Sequence, residues 1–144
     1  MRRISAEYLY DGGSSEPLRN AYVEVADDGT VLAVGKVENP EAEPEFHKGA
    51  IVPGFVNTHC HLELSYLKGK FRKGTGMAGF IDQINEMRDT SSMEEKKADI
   101  AFWMNEMWKR GVTAMGDISN CSDTFECKAD SPMYTRTFLE VFGT

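Results

Sequence analysis

Two of the chain's three histidines stand one residue apart, in the stretch IVPGFVNTHCHLELSYLKGK at positions 51 to 70. Along an extended strand, residues i and i+2 project from one face and i+1 from the other. His59 and His61 are therefore expected on the same side, able to reach one ion, with Cys60 turned away. Two imidazoles on a rigid element make a half-site suited to zinc or iron(II). A thiolate-rich structural zinc site would instead need cysteines paired at short spacing, and Cys60, Cys121 and Cys127 are not so arranged. The spacing alone also fits a surface pair that holds nothing.

The elements that must position this pair can be read on either side of it. RISAEYLY and NAYVEVA carry alternating or aromatic-rich apolar positions, DDGT at 27 to 30 is hairpin-turn chemistry, and VLAVGKV returns as the partner strand. ENPEAEPEFHKG reads as an acidic, proline-containing connector, with His47 as a solvated loop residue. AIVPGFVNTHCHL reads as one strand buried on both faces, as in a parallel sheet or a barrel. After a loop at 67 to 76 the period becomes helical, with Met77, Phe80, Ile81, Ile84 and Met87 on one stripe. A second helix opens at a capping box, Ser92 with Glu95. It carries Ile100, Trp103, Met104, Met107 and Trp108 as its core stripe, and stops at Gly111. VTAMGDIS and MYTRTFLEVFG read as two further strands, separated by a polar, turn-rich segment. Strand, helix, strand in this order is the rhythm of βαβ units on a parallel sheet. The glycines of KGTGMAGF lack the Gly-Lys-Ser/Thr ending of a phosphate loop and are read as a loop leading into a helix.

Composition removes several classes of function. With 144 residues, 41 % of them hydrophobic, the chain has the apolar content of an ordinary globular core. Its formal net charge is -7 and its basic residues form no dense stripe, so no nucleic-acid partner is expected. No apolar run approaches the ~20 residues of a membrane span. MRRISAEYLYDGG has no apolar stretch behind its arginines, so it is not read as a signal peptide. An odd number of unpatterned cysteines fits reduced thiols and a cytoplasmic location.

GAIVPGFVNTHCHLELS resembles the first barrel strand of the metal-dependent amidohydrolase superfamily, where an apolar strand, Pro-Gly, a polar step and His-x-His open a metal-binding barrel. RGVTAMGDIS is similar to the second barrel strand and TRTFLEVFG to the third. The resemblance implies an α/β fold, the N-terminal portion of a (β/α)8 TIM-like barrel preceded by strands of a small β-sandwich. Residues 1 to 49 would supply the sandwich strands and residues 50 to 144 about three strands of an incomplete barrel. NTHCHLELSYLKG looks most like the branch of nucleobase and nucleoside deaminases and chlorohydrolases, with aminofutalosine-deaminase-like members nearest.

What the resemblance implies for chemistry is hydrolytic deamination of a small nucleobase- or nucleoside-like ring by water activated on one divalent metal, zinc or iron(II). His59 and His61 match the two first-strand metal ligands. Glu63 falls where the first loop approaches substrate and is a candidate substrate contact. Asp117, at the end of the second strand, is in reach of the ion or, more simply, caps a loop. The family's remaining ligands and its acid/base groups come from later strands of a barrel of about 250 residues. They are expected beyond Thr144, so no catalytic residue is identified in this chain, which is expected to be inactive by itself. Strands without their neighbours leave an open edge, and self-association is expected there. Two other readings stay open: a cyclic-amide hydrolase of the dihydroorotase or imidazolonepropionase kind, and a non-catalytic interaction module in which both histidines are merely structural.

Overall fold

Turn chemistry and strand pairing organise the first part of the chain. The computed structural model describes residues 1–38 and 44–141. Its contacts divide the chain into two units, Met1–Pro53 and Gly54–Thr144. In the first, β1 (Arg2–Leu9), β2 (Ala21–Val25), β3 (Val31–Lys36) and β4 (Glu45–Ile51) form a sheet ordered β3-β2-β1-β4. β1–β2 and β2–β3 are antiparallel, whereas β4 joins β1 in parallel. The β2–β3 hairpin turns where expected, with Gly29 at φ 88° and the Asp28 carboxylate accepting from the Thr30 amide at 2.9 Å. Ala6, Leu9 and Ala21 are its buried apolar residues.

The connector reading of residues 38 to 49 needs correction. Residues 39–43 lie outside the described residues, but Glu45–Ile51 is a strand, and His47 sits in it rather than in a loop. His47 is nonetheless exposed, its Nε2 2.8 Å from the Glu45 carboxylate. The cause lies outside the segment: the free edge of β1 offers backbone partners that a local pattern with little alternation does not announce. The single strand expected over AIVPGFVNTHCHL is likewise two strands in two sheets. β4 ends at Ile51, and β5 (Phe55–Cys60) begins after Val52-Pro53-Gly54, where proline supplies no backbone donor. Phe55 and Val56 are exposed, so this strand is not buried on both faces.

The second unit is a parallel sheet ordered β5-β6-β7, with β6 at Val112–Ser119 and β7 at Tyr134–Leu139. The last two residues of the expected third strand, 142 and 143, lie outside the described residues. Between β5 and β6 come a 3-10 helix, Leu62–Leu67, then α1 (Gly76–Met87) and α2 (Met93–Lys109). A five-residue helix, α3 (Phe125–Ala129), occupies the segment read as turn-rich. α2 begins at the expected capping box: Ser92 Oγ accepts from the Glu95 amide at 3.2 Å, and the Glu95 carboxylate accepts from the Ser92 amide at 2.8 Å. It lies against the 3-10 helix and β6. Ile100 and Met104 of its stripe join Leu62, Met115 and Met133 in the core. Gly111, at φ 83°, turns the chain from α2 into β6.

The stripe expected on α1 is only partly inward. Met77 and Ile81 are exposed, and the buried residues are Ile84 and Gln83. Gln83 Oε1 accepts from the Arg72 amide at 2.7 Å, and its Nε2 donates to Thr75 Oγ1 and to the Gly79 carbonyl. A buried amide with this many partners ties the preceding loop to the helix.

Candidate functional site

The histidine pair forms at the carboxyl end of β5, where the strand hands over to the 3-10 helix. His59 lies within the strand, and its amide donates to the Asn57 side-chain carbonyl at 3.3 Å. His61 lies just past it, with φ -119° and ψ 77°, and its carbonyl accepts from the Leu64 amide at 3.0 Å. The i, i+2 relation survives this departure from strand geometry. The two Nε2 atoms are 3.3 Å apart, with ring centroids 5.2 Å apart and planes at 61°. His59 is exposed and His61 half-buried.

A separation of 3.3 Å is long for a hydrogen bond between the rings, whose usual range is about 2.7–3.2 Å. It is the distance two nitrogens take on one tetrahedral zinc: with Zn–N bonds of about 2.05 Å, they stand about 3.3 Å apart. The donor set therefore fits a divalent ion as a two-ligand half-site. Among the described residues, no group of three or more His, Cys, Asp or Glu is gathered to hold one.

The segment leaving His61 is fastened to the end of β6 by two buried carboxylates. Cys60 and Asp117 are register partners, as are Asp117 and Thr137, so the ends of β5, β6 and β7 lie in one row. Asp117, fully buried, accepts the Leu62 amide on Oδ1 at 2.8 Å. Its Oδ2 accepts the Thr124 hydroxyl and is ion-paired with the buried Lys128 ammonium. Lys128 also donates to Thr137 Oγ1 at 2.9 Å. Every oxygen of Asp117 is thus engaged by groups of its own unit. Glu63 is buried as well, and its Oε2 accepts from Ser119 Oγ at 2.9 Å, from the Asn120 amide at 2.8 Å and from the Cys121 amide at 3.2 Å. The Cys121 thiol lies 3.1 Å from the same oxygen. Burial pushes that thiol up to about 12 and the Cys60 thiol up to about 11.

Sequence reasoning missed Lys128 and Ser119 as members of this cluster. Lys128 lies in a short helix with no periodic signature, and neither residue carries a motif. A buried Asp at a strand end was the available signal, because an interior carboxylate calls for a cation or several donors nearby.

No protein-family model matches the chain. Among curated proteins it is 29% identical over 126 residues to aminodeoxyfutalosine deaminase of Nitratiruptor, covering 83% of this chain and 31% of that protein. It is 29% identical over 93 residues to 5-methylthioadenosine/S-adenosylhomocysteine deaminase of Natronomonas pharaonis, covering 65% of this chain and 22% of the relative. The chain thus spans less than a third of the length of these relatives. Among solved structures, Helicobacter pylori aminofutalosine deaminase in complex with methylthio-coformycin superposes with a TM-score of 0.82 at 24% identity. That match covers 100% of this chain and 36% of the other. Atrazine chlorohydrolase of Arthrobacter aurescens, complexed with zinc, gives 0.69 at 17% identity over 95% of this chain and 35% of the other. These last two are likenesses of fold. In sequence the chain is thus similar to deaminases, and in fold to a deaminase and a chlorohydrolase, in keeping with its resemblance to the amidohydrolase superfamily.

Proposed function

We propose that the chain is the metal-ligand-bearing first part of a hydrolase that deaminates a nucleoside-like small molecule, with His59 and His61 as two ligands of one divalent ion. The observation that carries this reading is the 3.3 Å separation of the two Nε2 atoms at the carboxyl end of a parallel strand. Carboxyl ends of parallel strands are where α/β barrels gather their chemistry. Support for deamination over cyclic-amide opening comes from the relatives' names, which are those of deaminases. Support for a partial barrel comes from the superposition on about a third of larger enzymes.

The chemistry an ion supplies when held by imidazoles is Lewis acidity and a water made acidic enough to act near neutral pH. This chain's own contribution is to fix two ligands. β5 sets their common face, and the start of the 3-10 helix sets the direction of the second ring. Glu63, its Oε2 committed to residues 119 to 121, acts in this reading by holding the loop after β6 beside the histidines. Its second oxygen is left for a substrate hydroxyl or ring nitrogen. In this reading the two histidines do not complete the site, and among the described residues no third ligand is gathered beside them. Released alone, the chain is expected to liberate no ammonia from nucleosides.

The test is a zinc titration of the 144-residue chain followed by the ring 15N signals of its three histidines. The expected result is that His59 and His61 shift together while His47 does not, and that His59→Ala weakens zinc binding by about tenfold or more. Zinc binding unchanged in His59→Ala, or no response of either ring, would remove the metal assignment.

A further inference from the structure

The peptide that joins His61 to Leu62 is held at both of its polar groups: its carbonyl accepts from the Leu64 amide inside the 3-10 helix, and its N–H is taken by a side chain of another strand. The Leu62 amide opens the 3-10 helix and is among the donors such a helix leaves without an internal partner. Its acceptor is Oδ1 of Asp117, at 2.8 Å, from a strand 55 residues away in sequence. That carboxylate is fully buried, and its charge is balanced by Lys128, whose ammonium is in turn anchored on Thr137 of β7. A pair serving packing alone would be replaceable by apolar side chains of similar volume, often without loss of stability. Here one oxygen faces the cation while the other is directed at the single backbone donor next to His61. His61 adopts a ψ of 77°, which belongs neither to the strand before it nor to the helix after it.

We infer that Asp117, its buried charge balanced by Lys128, is a positioning residue: it fixes the His61–Leu62 peptide and thereby the convergence of the His59 and His61 rings. Its functional value rests on the metal reading above, but its geometric consequence does not. The pair couples the ligand segment to β6, α3 and β7 at once, so the half-site is set by the row Cys60, Asp117, Thr137 and not by the His-x-His spacing alone. Asp117 touches neither ring in this role and acts through the backbone.

The test compares two charge-neutral double variants of the chain. Asp117→Asn with Lys128→Met retains an oxygen for the Leu62 amide and removes the cation that an amide would not balance. Asp117→Leu with Lys128→Met fills the same space without an acceptor. The expected result is that the Asn/Met variant keeps Leu62 amide protection, the contact between the two imidazole rings seen as a nuclear Overhauser effect, and near-wild-type zinc affinity. The Leu/Met variant, folded by circular dichroism, is expected to lose the ring contact and to bind zinc about tenfold more weakly or worse. A folded Leu/Met variant with the ring contact and zinc affinity of wild type would overturn the inference. If wild type itself binds no zinc, the metal reading falls, and the ring contact in the two variants still decides the positioning. Should the Leu/Met variant not fold, the wild-type Leu62 amide decides: protection well above that of an unstructured peptide supports the inference, and exchange at that rate overturns it.

Discussion

Burial acts on Cys60 and Cys121 in a way that reactivity can read. Desolvation disfavours a thiolate, and the Cys60 thiol, near the Asp117 charge, rises to about 11 while that of Cys121 rises to about 12. A free cysteine titrates near about 8.5. At pH 8 each thiol is therefore expected to alkylate at least about a hundredfold more slowly than in the unfolded chain, measured by iodoacetamide labelling and peptide mass spectrometry. Labelling at the unfolded rate would mean that the end of β5 or the 119–121 loop is open to solvent. The sign for stability follows. The folded chain keeps these protons where the unfolded chain has released them, so their contribution is whole below about pH 8.5 and declines as pH rises through about 11. At this scale the histidine pair was legible in the sequence, because a two-residue spacing is itself a geometric statement. The partners of Glu63 and Asp117 were not, because burial of a carboxylate and the origin of its donors are decided by strands that meet only in the fold.

Elements were legible in proportion to how far local chemistry decides them. α2 has its cap and its terminal glycine where the residues predicted them, and Ile100 and Met104 of its stripe are buried, while Trp108 at the far end of the stripe is exposed. Ser92→Ala removes the acceptor of the Glu95 amide and is expected to cost about 1 kcal/mol in urea unfolding. Ser92→Asp, which also accepts there, is expected to restore most of it. Equal stability of the alanine variant would show that the start of α2 is held by its packing and not by its cap. β4 shows the opposite case: its residues have no strong strand pattern, and β1 recruits them by offering an edge. The 3-10 helix was missed for a related reason. Leu62, Tyr66 and Leu67 are buried by packing near α2 and β6, and an apolar run of that length fits a strand end equally well in sequence.

At the scale of the second unit, the two faces of the β5-β6-β7 sheet are treated differently. Met115 faces the core built with Ile100 and Met104 of α2. On the opposite face, Val56, Ala114 and Tyr134 are register partners, and Phe138 follows four residues along β7 on the same side. Val56 is 62% exposed, Tyr134 68% and Phe138 53%, an apolar surface of a kind that soluble chains rarely leave uncovered. β7, last in the sheet order, adds a strand edge with Leu139 also exposed. We therefore propose that the chain by itself associates through this face and edge. Sedimentation velocity at micromolar concentration is expected to show a dimer or larger species, and Val56→Lys combined with Phe138→Lys is expected to shift it toward monomer. The charged pair is placed where burial in an interface would leave two ammonium groups without partners, whereas on a free surface it costs little. A monodisperse monomer for the unaltered chain would mean that this face tolerates water, and association would then have no part in how the chain is stabilised.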